Sequence, residues 1–283
     1  EVSSGPPNFT GQVYIDCTDA NSRVRIGQGA RTTIGQGNSS IGRARDAGQS
    51  NQGNGSVALG YRAGTSSQGQ YSTAIGYNAG VSTQGENSTA LGFYAGSTSQ
   101  GDSTVAIGYA AGSYGQNLYA VALGTSAGLS AQSRGAVAIG YGAAYRPQGQ
   151  YAVAIGQQAG ESYQDENSVA MGFEAGWKYQ NTNSVAIGYQ AAKENQNVHA
   201  VAIGALAGGT SQGMGSVAIG SRALCPESNS IVISAVGVTY SASNANSTYI
   251  NPIRSSNAHD STGILTYTSE GEVVNYSNLF VKD

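Results

Sequence analysis

The sequence predicts an all-β chain wound as a parallel β-roll, a β-solenoid of sixteen-residue coils, and three observations carry that prediction. An aliphatic residue or Met followed by Gly recurs at an unbroken sixteen-residue step from Leu59-Gly60 to Ile219-Gly220. Charge is scarce: 10% of the 283 residues are charged, whereas 42 are Gly and 18 are Tyr, so the chain is polar without being charged. Stretches such as Ser56-Val57-Ala58-Leu59 alternate as the two faces of a short strand do. A fixed short period marks units that cannot bury their apolar face alone and must stack on identical neighbours. Sixteen residues are too few for a helix pair but fit one coil with two short strands, bonded to the next coil at about 4.8 Å.

The composition excludes several classes. A disordered tail would carry more charge and fewer β-branched and aromatic residues. Five Pro and no Gly-X-Y period exclude collagen. A net charge of −3 and a pI near 5.4 give no basic surface for nucleic acid. No apolar run reaches the roughly 18 residues that span a bilayer, so no membrane insertion is expected, and no signal-peptide pattern opens the chain. Glu1 in place of an initiator Met fits an excised segment of a longer protein.

Three segments follow. Residues 1–22 form an N-terminal strand or cap through Gln12-Val13-Tyr14-Ile15, residues 23–225 the repeat shaft, and residues 226–283 a C-terminal trimerisation or connector module. Within the shaft, Ile26-Gly27, Ile34-Gly35 and Ile41-Gly42 recur at steps of eight and seven residues, about half the main period. Both strands of a coil are therefore expected to carry the same motif there, with a loop between Arg43 and Asn54 where the register changes. Arg23, Arg25, Arg31, Arg43 and Arg45 make this end basic, as a solvated strand face or as a docking end for an acidic partner. Beyond Cys225-Pro226 the period breaks. Ile231-Val232-Ile233 makes one last strand, and Thr248–Arg254, Gly263–Tyr267 and Glu272–Tyr276 are expected as antiparallel hairpins with Ser/Asn/Gly-rich turns.

Within each coil the Val and Ile stripe is expected to fill the interior. Ala holds the place before the aliphatic residue throughout: Ala58, Ala74, Ala90, Ala106, Ala122, Ala138, Ala154, Ala170, Ala186, Ala202 and Ala218. An exposed strand face would accept Thr, Lys, Glu or Ser there, so a small apolar side chain implies a second backbone close by. Two readings are open: a trimer interface along the axis, or a narrow corner inside the same coil. Gln68, Gln84, Gln100, Gln116, Gln132, Gln148, Gln164, Gln180, Gln196 and Gln212 form a second column, whose amides can hydrogen-bond along the stack as a structural ladder. Tyr61, Tyr77, Phe93, Tyr109, Tyr141, Phe173 and Tyr189 form an aromatic column, read as stacked rings covering the bend or as a sugar- or protein-binding stripe.

Chemistry for catalysis is missing from the pattern. His199 occupies a turn position, and His259-Asp260-Ser261 are adjacent in one loop, whereas a triad is assembled from separate elements. Glu161, Asp165, Glu166 and Glu174 do not repeat with the period, unlike the Asp columns of calcium-binding rolls. No catalytic residue, cofactor or metal site is assigned. Cys17 and Cys225 lie at opposite ends of the array, about 50 Å apart at strand spacing, too far to pair within one extended chain. Sequons at Asn8, Asn38, Asn54, Asn87, Asn246 and Asn275 are compatible with glycosylation of an exported or viral protein.

The Ser-Val-Ala-Ile-Gly of residues 184–188 and 216–220 resembles the head repeat of trimeric autotransporter adhesins, over roughly residues 23–233. That resemblance implies a left-handed parallel β-roll in a tight trimer. Tyr249–Arg254, Gly263–Tyr267 and Gly271–Val273 resemble segments of fibre proteins of large DNA viruses and phages, where such a segment often precedes a cleaved intramolecular chaperone. The function expected is a structural extracellular fibre on a virion or cell surface, a homotrimeric shaft contributing to attachment, with a surface receptor or glycan as partner. The alternatives are a subunit polymerising end to end with copies of itself into a filament, and an ice-binding solenoid, which would need the regular Thr column that is absent here.

Overall fold

The computed structural model describes residues 40–251 and, as strands alone, 24–26, 264–267 and 273–276. Among the described residues every regular element is a β-strand. The run from the β-branched residue through Ala to the aliphatic one forms a three-residue strand in each coil, as in Val57–Leu59, Val105–Ile107 and Val201–Ile203. These strands stack in parallel and in register, Val57 opposite Thr73, Ala58 opposite Ala74 and Leu59 opposite Ile75. Fifteen strands, from Val24–Ile26 to Thr248–Asn251, make one long sheet. The fold class read from the period is therefore the one observed.

The second face of the coil is built from two- or three-residue strands that end on Gln, such as Thr98–Gln100 and Lys178–Gln180. They form a run of five strands and a run of three. Between the runs stands Pro147, which has no N–H to give to a ladder. Gln148 alone keeps the connection there, through single bridges to Gln132 and Gln164.

The turn after the long-sheet strand explains the invariant Gly of the repeat. Gly124 has a φ of 126°, and a Cβ on it would lie 2.7 Å from the carbonyl oxygen of Gly140 in the next coil. Gly60 and Gly172 are placed alike, each 2.5 Å from the carbonyl oxygen of the Gly sixteen residues on. Stacked backbones touch at this corner, and no side chain fits between them.

The interior is the opposite of the one expected. Ala58 and its ten repeats are 0% exposed inside the coil of one chain, while Val57 and Leu59 face outward and are only half-buried. Around the Ala column lie a second Ala column, from Ala63 to Ala223, and a column of small residues that includes Ser56, Ser72 and Thr104. The largest fully buried side chains are nearly all glutamines. The reason is room: in the sixteen-residue coils the two backbones stand too close for Val and Ile, so the branched side chains take the outer face, and only past Ala218 does Val232 fill an Ala place.

Two further expectations change. Ile41, Gly42 and Arg43 pair with Val57, Ala58 and Leu59, so Ile41 takes the β-branched place and Gly42 the Ala place. Ala47 packs in the same cluster as Ala63, and Gln52 bridges to Gln68. Residues 40–55 thus form a full coil, with no register change between Arg43 and Asn54, while Ile34-Gly35, on which the half-period expectation rests, lies outside the described residues. At the other end, Ile231–Ser234 and Thr248–Asn251 join the long sheet in parallel. Stacking therefore continues past Cys225-Pro226, and Thr248–Asn251 is a parallel rung where a hairpin strand was expected. Residues 252–283 form a separate unit, in which Ile264–Tyr267 and Val273–Tyr276 pair antiparallel.

Two glycines of adjacent coils should behave differently. Gly124→Ala is expected to destabilise by about 3 kcal/mol or more, since its Cβ overlaps backbone that cannot yield. Gly115→Ala, where φ is 77° and the added Cβ meets only the Ala131 Cα at 3.9 Å, should cost about 1–2 kcal/mol. Thermal melts of the two variants check the order; equal effects would remove the backbone-contact account.

Candidate functional site: the outer aliphatic face

Because the coil interior is filled by Ala, Ser and the Gln amides, the long sheet presents its branched residues outward. Two parallel columns result, one from Val57 through Val217 to Thr248 and one from Leu59 through Met171 to Ile250, each aligned rung by rung. Leu91, Leu123 and Met171 are 40–41% exposed, and Ile250 is 49% exposed. At strand spacing the face is about 60 Å long and about 10 Å wide. It is a mainly aliphatic strip, with Thr73 and Thr89 as polar places in the first column, at the upper end of what a monomer leaves uncovered.

The alanines from Ala58 to Ala218 offer no part of that surface. Their methyl groups are fully enclosed by their own coil, so the interface expected on the Ala column has no Ala surface to use, and the narrow-corner reading describes them. Tight packing rather than partner contact keeps that position small.

The Gln column spans the coil interior. Each Gln Nε2 donates across the coil to the carbonyl oxygen of the strand residue eleven positions earlier: Gln132 to Val121 at 3.1 Å, Gln180 to Val169 at 2.8 Å, Gln212 to Val201 at 2.7 Å. From Gln100 onward the same amide also donates to the next Gln Oε1, as in Gln116 to Gln132 at 2.8 Å and Gln148 to Gln164 at 3.0 Å. The chain of amides reaches Gln212 through Gln196 at 3.0 Å. Both N–H donors are thereby used inside the core. Toward the N-terminal end the axial links are missing, and the Oε1 atoms of Gln68, Gln84 and Gln100 are buried with no hydrogen-bond partner. Gln52, buried and bridged to Gln68, extends the column by one coil beyond the ten read from the sequence.

The aromatic column stands at the bend. Tyr61, Tyr77, Phe93 and Tyr109 stack at 5.0–5.2 Å, and Phe173 stacks on Tyr189 at 5.4 Å. Thr125 and Gln157 interrupt the stack. His199 sits exposed in a left-handed turn with φ 59°. Cys225 is buried, and burial pushes its thiol above the usual range. Asn54, Asn87 and Asn246 are exposed. Of the other sequon residues, Asn8 and Asn38 lie outside the described residues, as do Cys17 and His259, and Asn275 is described only as part of a strand. The residues that sequence reasoning missed are Trp177, Lys178 and Lys193, which gather beside Glu161 and Glu174; their departure from the period, in a chain nearly free of charge, was the available signal.

Among the described residues no group of His, Cys, Asp or Glu could hold a metal ion, and no helix is long and apolar enough to cross a membrane. Residues 67–95 match the YadA head domain repeat in two copies. No curated protein and no solved structure gave a match. The match likens these two coils to an adhesin head repeat and agrees with the stacked parallel solenoid seen here.

Gln148→Ala removes the cross-coil bond to Val137 and the axial links to Gln132 and Gln164. It should destabilise by about 2–4 kcal/mol through unsatisfied buried groups and the void left behind. Gln157→Ala, on the outer surface, should change stability by less than about 0.5 kcal/mol. Denaturant midpoints of the two variants test this.

Proposed function

We propose that the protein is a structural extracellular fibre: a homotrimeric solenoid shaft that holds attachment surfaces away from a cell or virion. The observation that carries this reading is the outer aliphatic face. One chain leaves its two branched columns half-exposed from Val57–Leu59 to Thr248–Asn251, and three such faces closed around a common axis would bury all of them. At about 25 cal/mol per Å², some 600 Å² per chain gives a driving force of roughly 15 kcal/mol before the entropic cost of association. The head-repeat match at residues 67–95 and the resemblance of the repeat to trimeric adhesin heads support three copies rather than two. A rod of stacked coils also suits a spacer: each coil contacts only its neighbours, so length can vary without altering the ends.

Replacing Ile139 and Ile155 by Lys tests the reading directly. Both side chains are half-buried on the outer face, so the double variant should keep its solenoid circular-dichroism spectrum. Its sedimentation mass should fall from that of a trimer toward that of a monomer, because unpaired charge in an interface costs several kcal/mol. A wild-type protein that sediments as a monomer would end the proposal. Indefinite filaments in micrographs, in place of rods of one length, would favour end-to-end polymerisation, since a solenoid has open strand edges at both ends.

Removing residues 120–151 deletes two coils in register. The expected product is a folded trimer shortened by about 10 Å, measurable by small-angle scattering. Loss of folding would show that the shaft is not modular.

A further inference from the structure

In one region of the shaft the period is broken by chemistry. Lys178 and Lys193, two of the three lysines of the sequence, and Trp177, its one tryptophan, occupy outward positions in adjacent coils. In the other coils the place of Lys178 is held mostly by Ser or Thr, and the place shared by Trp177 and Lys193 holds no cation or indole. The Lys178 ammonium lies 3.8 Å from the centre of the Trp177 ring, and that of Lys193 lies 5.1 Å away. The Trp177 indole N–H donates to the Glu161 carboxylate, which also accepts from the Gln158 amide at 3.0 Å. Lys193 pairs with Glu174 at 2.7 Å, and the Gln190 amide donates to the same carboxylate at 2.8 Å. Burial pushes the Glu174 carboxyl up, but these partners outweigh it and hold the group below its usual range.

With Glu161 and Glu174 engaged, Arg146 and Lys178 have no carboxylate within ion-pair distance among the described residues. They lie in one column of the second face, two coils and about 10 Å apart, with Ser162 between them in register with Lys178. A groove of about 360 Å³ opens at this place, lined by Arg146, Glu161, Ser162, Tyr163, Lys178 and Tyr179. Tyr163 and Tyr179 are stacked at 5.5 Å with their planes 2° apart, and they are 49% and 52% exposed. Pro147 ends one run of second-face strands and Ser162–Gln164 begins the next, so the groove lies at a step in the wall.

We propose that this groove binds a carboxylated sugar. Exposed aromatic rings take the C–H face of a pyranose, and a guanidinium takes a carboxylate in two parallel hydrogen bonds, which a solvated ammonium reinforces. Glu161, already oriented by Trp177 and Gln158, retains lone pairs to accept from sugar hydroxyls. Glu194 follows Lys178 in the column and disfavours an anion at that end, which places the carboxylate toward Arg146. The groove is on the second face of the coil, apart from the aliphatic strip, so the proposal does not depend on trimerisation.

The intact chain is titrated with sialyllactose, with a glucuronic-acid disaccharide and with lactose, reading Trp177 fluorescence and saturation-transfer NMR in parallel. Saturable binding of either acidic probe is expected, with lactose at least about tenfold weaker; the stronger acidic probe identifies the source of the carboxylate. Arg146→Gln and Lys178→Gln should each weaken acidic-probe binding about tenfold, the scale of one charge-assisted contact. Arg134→Gln, a cation 5.5 Å from the Tyr119 ring and outside the groove, should leave it unchanged, with melting temperatures confirming that all three variants are folded. Silence of all three probes in both readouts up to about 10 mM, equal binding of lactose, or acidic binding unchanged in Arg146→Gln would overturn the assignment.

Discussion

The structure depends on how closely two stretches of backbone approach across one narrow coil. At the corner after each long-sheet strand, glycines of successive coils touch backbone to backbone, leaving no room for a Cβ between Gly124 and Gly140. Across the coil the interior is filled mainly by Ala, Ser and the flat amide of Gln, with Thr104 in mid-shaft and Cys225 and Val232 at the C-terminal end. Everything outward of that core follows, because side chains too large for the interior must stand on the surface.

A core of methyl groups and amides is unusual in where its cohesion comes from. Little apolar area is buried by any one alanine, and most of the interior polar groups are satisfied by bonds that run across and along the coil. Gln is suited to this double duty: one N–H reaches the opposite strand and the other reaches the next coil. A shorter Asn would not span the coil, and an aliphatic residue of the same length would leave the strand carbonyl at Val121 without its donor. Cohesion of this kind couples each rung to its neighbours, so that the rod behaves as a one-dimensional stack.

The surface then divides by chemistry. The long sheet shows aliphatic columns, the bend shows stacked rings, and the second face is mostly small and polar, with the Trp177 cluster as the departure. Function in a periodic molecule has two places to reside. A feature repeated in every coil, such as the aliphatic strip, suits association with another periodic object. A feature present once suits a single ligand.

The sixteen-residue step by itself determined the solenoid, its parallel register and the Gln column, because a drift-free period constrains stacking whatever the side chains do. It also marked Ala58 and its repeats as a place of close approach. The tertiary structure alone decided which face is inside. Alternation in Ser56-Val57-Ala58-Leu59 is symmetric between the two faces, and the usual preference for burying Val and Leu points the wrong way when the coil is too thin to hold them. Register at the ends was likewise out of reach: Ile41-Gly42 reads as another aliphatic-Gly pair, and only its partners Val57 and Ala58 place it one position earlier in the strand. The meeting of Arg146, Glu161 and Trp177 was hidden for a related reason, since residues about sixteen apart are distant in a string but adjacent in a stack.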